Sequence, residues 1–188
     1  MDAFSYLSVL NSLVLGLALA SLLTGLAGMV RARGRVIMYW ALAAQMVLIF
    51  LIQIQVWWAL FELREVAHWS FAGFLVVLMQ PVTVYLATAF LVPDIPENDT
   101  LDLRIAYFRE ARWYFAALLL GLVDSLAKSL VFYGHLPNGI DLAAHAAFIA
   151  LCIAGIVSRR DIVHKIIAPL ALLLFTAYIV LLFASLRG

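Results

Sequence analysis

The residues best suited to chemistry are a carboxylic acid and an amine inside a long apolar stretch. Asp124 and Lys128 lie four positions apart within residues 113–133, WYFAALLLGLVDSLAKSLVFY. A helix of this length crosses a bilayer, and each charge near its centre costs roughly 2.5 to 3.5 kcal/mol. Because residues four apart share a helix face, and the acid precedes the base by one turn, the spacing predicts an ion pair.

Amide side chains in other predicted spans extend this polar region. Ionisable residues inside a membrane commonly mark pathways for ions, protons or substrates, and a buried acid beside a base can change its protonation state during a cycle. The sequence therefore predicts an outward-facing polar cavity or ion path. Its candidate residues are Asp124, Lys128, Asn11, Gln53, Gln55 and Gln80.

A second set of side chains has the donor types that hold metals. Imidazole and carboxylate ligands suit zinc, copper or iron, and two facing histidines can hold a haem between helices. The chain has no HExxH or CxxC motif, so the sequence specifies no particular cofactor. The candidate ligands are His68, His135, His145, Asp141, Glu62 and Glu65.

Composition fixes the class of protein that carries these residues. Hydrophobic residues make up 66% of the chain and charged residues 12%, with a mean hydropathy of +1.08. Soluble domains contain about 45 to 50% apolar and about 25% charged residues. The chain is therefore predicted to be an all-α polytopic membrane protein. Its net charge of +1 gives no reason to expect nucleic acid as a partner.

Six apolar segments predict a bundle of six transmembrane helices in a single domain, 1–188. A short polar segment before the fourth span has apolar residues at helical spacing and predicts one cytoplasmic interfacial helix, about 100–111. In the first span, small residues recur at every fourth position from Ser8 to Gly28 and predict a packing face. The predicted spans are about 4–30, 36–61, 69–92, 113–133, 142–157 and 166–186.

Basic residues are distributed unevenly between the two ends of these spans. Loops one, three and five hold nine of them, whereas the opposite side has only Arg64 and Arg187. The positive-inside rule then predicts that both termini face outward, toward the periplasm if this is a bacterial inner membrane protein. The nine residues are Arg31, Arg33, Arg35, Arg104, Arg109, Arg112, Arg159, Arg160 and Lys165.

Three functions are compatible with these features. The first is a small channel or secondary transporter for an ion, a proton or a small polar solute. The second is a sensor or scaffold subunit, whose partners would be the lipid bilayer and either further copies of the chain or another membrane subunit. The third is metal or haem binding. An enzyme is less favoured, and no GxxxxGK[ST] loop for an ATP-driven pump occurs.

Overall fold

Six α-helices form the part of the chain that the structure describes. The computed structural model describes residues 3–66, 68–96, 99–137 and 139–182, so residues 183–186 of the predicted sixth span lie outside the described part of the chain. All six helices are long and apolar enough to cross a membrane, which confirms the predicted all-α, six-helix class of integral membrane protein. The helices are α1 (Ala3–Arg31), α2 (Trp40–Leu60), α3 (Phe71–Leu91), α4 (Leu103–Tyr133), α5 (Ile140–Val157) and α6 (Asp161–Leu182).

Helix α4 differs from the prediction because the interfacial helix and the fourth span are one continuous element. The Asp102 side chain begins it by accepting hydrogen bonds from the backbone N–H groups of Arg104 (2.8 Å) and Ile105 (3.2 Å). No proline or glycine interrupts the helix near residue 112, so the change from polar to apolar composition there does not break it. Its 31 residues extend about 46 Å, well beyond the roughly 30 Å of a hydrocarbon core.

The connections between the helices define two ends of the bundle. Helices that each cross a membrane and are joined by short segments must alternate in direction. Segments 32–39, 92–102 and 158–160 therefore meet at one end, together with the first turns of α4 and α6, and we call this the arginine-rich end. Segments 61–70 and 134–139 meet at the other, which we call the acidic end.

A small parallel strand pair ties two connections together at the arginine-rich end. Strand β1 (Val36–Ile37) pairs with β2 (Leu101–Asp102), and the Arg35 guanidinium donates to the Pro96 carbonyl at 3.2 Å. These contacts fix the beginning of α4 beside the segment that precedes α2. Neither strand was predicted, since two residues carry no recognisable alternation.

Helix α1 packs at the edge of the bundle, mainly against α3. The predicted packing face of small residues is wrong, because Ser12, Gly16, Ala20 and Thr24 are exposed. Larger apolar side chains provide more contact area against α3, and the helix is rotated to bury them. Its buried positions include Leu7, Asn11, Leu15, Ala18, Leu22 and Met29.

Helices α3 and α4 form the most extensive helix–helix contact among the described residues. Thr83 of α3 approaches Gly121 so closely that a Cβ on the glycine would lie 2.9 Å from the threonine hydroxyl. Pro81 lies inside α3 and is buried, so the backbone acceptor that it leaves without an N–H partner faces the interior of the protein. This arrangement places the centre of α3 and the second half of α4 side by side, and the candidate site lies there.

Candidate solute cavity

A cavity of about 400 Å³ lies between α2, α3, α4, α5 and α6. At the acidic end its walls include Glu62, His135 and Pro137, and its deepest residues toward the arginine-rich end are Gln45 and Ile167. All of its described lining residues come from α2 to α6 and the adjoining segments, so α1 does not take part. The cavity therefore runs along the bundle axis from one set of connecting segments into the membrane-spanning region.

The lining of the cavity is mostly polar near the acidic end and mostly apolar at depth, where Thr83 and Gln45 are polar members. Successive positions along α5 illustrate this, because Asp141 and His145 come before Phe148 and Leu151. Polar lining residues nearer the acidic end are Gln55, Glu62, Gln80, Ser125, Lys128, Ser129, Tyr133, His135, Asp141, His145 and Tyr178. Apolar lining residues at greater depth include Leu48, Ile52, Leu118, Phe148, Leu151 and Phe175.

Lys128 lines the cavity, but it does not pair with Asp124. Its Nζ donates to the side-chain carbonyl of Gln80 at 2.8 Å, and no ion pair within 4.0 Å joins it to the acid. The predicted ion pair is therefore wrong, because an amide acceptor in α3 takes the lysine across the helix interface. Asp124 does not line the cavity, and its Oδ2 is buried without a hydrogen-bond partner.

Three side chains from α4 and α5 form a hydrogen-bonded row in the cavity wall. His145 Nδ1 lies 2.9 Å from the Asp141 carbonyl and 3.2 Å from its carboxylate Oδ1. His145 Nε2 lies 3.2 Å from Ser125 Oγ. Because Nδ1 faces two oxygens that can only accept while Asp141 is ionised, that nitrogen carries a proton, and when the ring is neutral its Nε2 accepts from the serine hydroxyl.

The acid in this row is held in place from a third helix. Tyr178 of α6 donates from its hydroxyl to Asp141 Oδ1 at 3.1 Å. Both residues also line the cavity, and His145 is 7% exposed. Asp141 and His145 are one turn apart and share a face of α5. Ser125 was missed, although its position three residues before Lys128 puts it on the same face of α4.

The predicted polar path is only partly assembled. Gln55, Gln80 and Lys128 line the cavity, whereas Asn11 and Gln53 do not. The Asn11 amide donates to the Leu7 carbonyl within α1 at 2.9 Å. The Gln53 amide donates to the Thr88 hydroxyl at 2.9 Å and joins α2 to α3. These two buried amides serve packing between or within helices.

The predicted metal ligands are also divided by the structure. Glu62, His135, Asp141 and His145 line the cavity. His68 and Glu65 are exposed at the acidic end and do not. Among the described residues, no group of three or more histidine, cysteine, aspartate or glutamate side chains is placed to hold a metal ion.

Comparisons with protein families, with curated proteins and with solved structures find no match to this chain. A function can therefore be proposed only from the geometry of the cavity.

The floor of the cavity is closed toward the arginine-rich end. Gln45 accepts a 2.8 Å hydrogen bond from the Tyr114 hydroxyl, and both side chains are fully buried. Phe115 packs beside them against Gly155, where a Cβ would lie 2.5 Å from the ring. These contacts join α2, α4 and α5 below the apolar part of the cavity.

A second layer of contacts lies beyond that floor and was missed by sequence reasoning. Asp161 accepts from the Tyr39 hydroxyl (3.0 Å), the Arg104 Nε (3.2 Å) and the Lys165 Nζ (2.6 Å). It thereby links α6 to α4 and to the residue that precedes α2. Burial raises the pKa of Tyr39 above its ordinary value, and its hydrogen bond to the Asp161 carboxylate raises the pKa further.

His164 completes this layer on the side that faces the cavity floor. Its ring lies 2.9 Å from the Tyr107 hydroxyl through Nδ1 and 2.9 Å from the Ser158 carbonyl through Nε2. Phe115 also contacts the ring, with their centroids 5.6 Å apart. These partners of His164 were not predicted from the sequence.

Proposed function

We propose that the protein is a small channel or secondary transporter that admits an ion, a proton or a small polar solute through this cavity. The observation that carries the proposal is the cavity itself, about 400 Å³ inside a six-helix bundle, with a lysine in its wall. Lys128 has three N–H donors and uses one of them on Gln80. An ionisable group at this depth is expensive to bury unless it contacts water, a partner or a solute.

The closed floor supports alternating access over a continuously open pore. The Tyr114–Gln45 hydrogen bond and the contacts of Asp161 separate the cavity from the arginine-rich end. A transporter of this kind would release its solute when those contacts break and α6 moves relative to α2 and α4. Pro81 in α3 and Pro169 in α6 are positions where the backbone can bend during such a change.

The orientation that fits this proposal places the acidic end outside. The nine basic residues associated with the odd-numbered loops favour a cytoplasmic location for the arginine-rich end. In a bacterial inner membrane, the solute would then enter from the periplasm, and both termini would lie on that side. The scaffold alternative predicts no passage of solutes in either direction.

Solute flux into reconstituted vesicles tests the proposal, with a variant that fills the cavity. Ala144 lines the cavity, and Ala146, two positions along α5, is exposed on the outer surface of the bundle. Ala144→Trp should obstruct the cavity, while Ala146→Trp adds the same side chain on the lipid-facing side. Glycerol, urea and ammonium acetate entry is measured by light scattering, and proton entry by an internal pH dye.

The expected result is that at least one of these probes enters wild-type vesicles faster than protein-free vesicles. Ala144→Trp should abolish that difference, and Ala146→Trp should preserve it. If no probe enters wild-type vesicles faster than protein-free ones, the transport proposal is overturned.

A further inference from the structure

We propose that the cavity also carries a hydrolytic centre in which Ser125 is the nucleophile, His145 the general base and Asp141 the residue that positions the base. This activity goes beyond solute passage and requires only that a substrate can enter the cavity. The three side chains belong to two neighbouring helices, and all three line the cavity. They therefore face the space that a substrate would occupy.

The hydrogen bonds follow the order that nucleophile activation requires. Ser125 Oγ lies 3.2 Å from His145 Nε2, and His145 Nδ1 lies 3.2 Å from Asp141 Oδ1. A nucleophile within hydrogen-bond reach of a base, which a third group orients, is the shared geometry of serine hydrolases. The two Asp141 oxygens fix the proton on Nδ1, so Nε2 is the nitrogen that can accept the serine proton.

Lys128 supplies positive charge beside the nucleophile. It lies three residues after Ser125 on the same face of α4, a spacing that brings Cβ atoms to about 5 to 6 Å. Both side chains line the cavity, so an oxyanion formed at Ser125 would lie in the same space as the Lys128 ammonium. Gln80 holds it with a single hydrogen bond, which leaves N–H donors to stabilise the oxyanion that forms during acyl transfer.

The depth profile of the cavity indicates the class of substrate. Below the serine, the wall is mainly apolar and includes Leu118, Phe148 and Phe175, with Thr83 and Gln45 as polar members, whereas the polar end lies toward the connecting segments. An apolar acyl chain fits the deep part, with its carbonyl carbon at Ser125 and its alcohol portion toward the acidic end. The substrate class is therefore a carboxylic ester with an apolar acyl chain.

The reaction balances with water as the second substrate. Ser125 Oγ attacks the ester carbonyl carbon while His145 Nε2 takes the hydroxyl proton, and a tetrahedral oxyanion forms near Lys128. The bond from carbon to the alcohol oxygen then breaks, and His145 returns the proton to the departing alcohol. Water, entering from the acidic end, attacks the acyl-serine with His145 as base and releases the carboxylic acid and free Ser125.

An alkyl fluorophosphonate tests this centre directly, because it phosphonylates only an activated serine, with loss of fluoride. The full-length protein is labelled in detergent micelles and digested with trypsin. Cleavage after Arg112 and Lys128 yields the peptide 113–128, in which Ser125 is the single serine, whereas Ser129 falls on the next peptide. We expect the adduct on Ser125.

Ser129 provides a matched control in the same wall of the cavity. Its hydroxyl donates to the His135 carbonyl at 2.8 Å, and it has no bond to a base. Ser129→Ala should retain the adduct on Ser125. Ser125→Ala should remove the adduct, and His145→Gln should slow labelling by about 100-fold or more. Absence of an adduct on residues 113–128 of the folded wild-type protein, or undiminished labelling in folded Ser125→Ala, overturns the proposal.

The positioning role of Asp141 is tested by ester hydrolysis. With p-nitrophenyl butyrate as the probe, Asp141→Asn should lower kcat by about 10-fold or more and change KM much less, since this residue acts on the reaction through His145. Asp141→Glu should recover part of kcat. Equal kcat values for wild type and for a folded Asp141→Asn variant contradict the role. This assay and the labelling need no membrane gradient, so they succeed or fail independently of the flux experiment.

Discussion

The Nζ of Lys128 in α4 donates a 2.8 Å hydrogen bond to the side-chain carbonyl of Gln80 in α3. This bond joins the two helices beside Pro81, inside the part of the bundle that is apolar enough to lie in a membrane. The lysine is thus stabilised by a neutral amide, although Asp124 lies one turn away on its own helix. The Gln80 amide oxygen accepts this bond without placing an opposite charge next to Lys128.

The first prediction concerns the energy of this bond. Gln80→Leu and Lys128→Met should each lower the free energy of unfolding, and the double variant should lose less than the sum of the two. The expected coupling is about 1.5 to 3 kcal/mol, the range for hydrogen bonds to charged groups. Denaturant unfolding in detergent micelles, arranged as a double-mutant cycle, measures it.

Gln55 provides the control for that cycle, because it lines the same cavity without a hydrogen bond to Lys128. Combining Gln55→Leu with Lys128→Met should lower the free energy of unfolding by the sum of the two single effects. Additive losses for the Gln80 pair as well would mean that the bond contributes nothing.

The second prediction concerns the packing of α5 against the cavity floor. A Cβ at Gly155 would lie 2.5 to 2.6 Å from three ring atoms of Phe115, so Gly155→Ala forces the ring or the helix to move. We expect a loss of about 1 to 3 kcal/mol, as for other overpacked cores. Gly16→Ala is the control, because nothing lies within 4 Å of a Cβ there. Thermal unfolding of both variants checks this, and equal stability would contradict the packing.

The third prediction concerns alkaline pH at the arginine-rich end. Burial and the Asp161 carboxylate raise the pKa of Tyr39 in the folded state, so above about pH 10 the unfolded chain loses its proton before the folded protein does. Loss of the proton therefore stabilises the unfolded chain first as pH rises, and the free energy of unfolding falls. Tyr39→Phe should reduce the drop in melting temperature between about pH 8 and pH 11.

Tyr6→Phe is the matched variant, because Tyr6 is 70% exposed. Tyr6→Phe should show the full wild-type drop in melting temperature between about pH 8 and pH 11. If Tyr39→Phe shows the same loss as the wild-type protein, burial of the Tyr39 hydroxyl against Asp161 does not contribute to alkaline unfolding.

Segment length and hydropathy were sufficient to predict the six helices, because a spanning helix must satisfy its backbone groups internally. The continuity of α4 was missed because the prediction treated a change in composition as a boundary. A helix ends where its backbone is interrupted or capped, and α4 ends at Gly134, which has a φ of 74°. The change from polar to apolar residues near residue 112 alters the environment that the helix lies in, but it does not end the helix.

The site was harder to predict because it depends on which helix faces meet. Asn11 and Gln53 have the same polar character as Gln80, yet they form hydrogen bonds away from the cavity. Ser125 is an ordinary serine in sequence, and its partner His145 lies 20 residues away in another helix. Periodicity along one helix cannot show which neighbour will be opposite.

If the cavity holds water and opens at the acidic end, a cysteine at position 144 is accessible from that side of the membrane. In a Cys152→Ala background, Ala144→Cys is exposed to a membrane-impermeant thiol reagent added outside intact cells. Glu65→Cys, at a side chain that is 81% exposed, reports whether the acidic end faces the reagent. Ala146→Cys reports reaction on the lipid-facing side. We expect the thiol reagent to label the cysteines at positions 65 and 144 and not the cysteine at position 146. Protection at position 144 alongside labelling at position 65 would show that the cavity does not open to water at the acidic end.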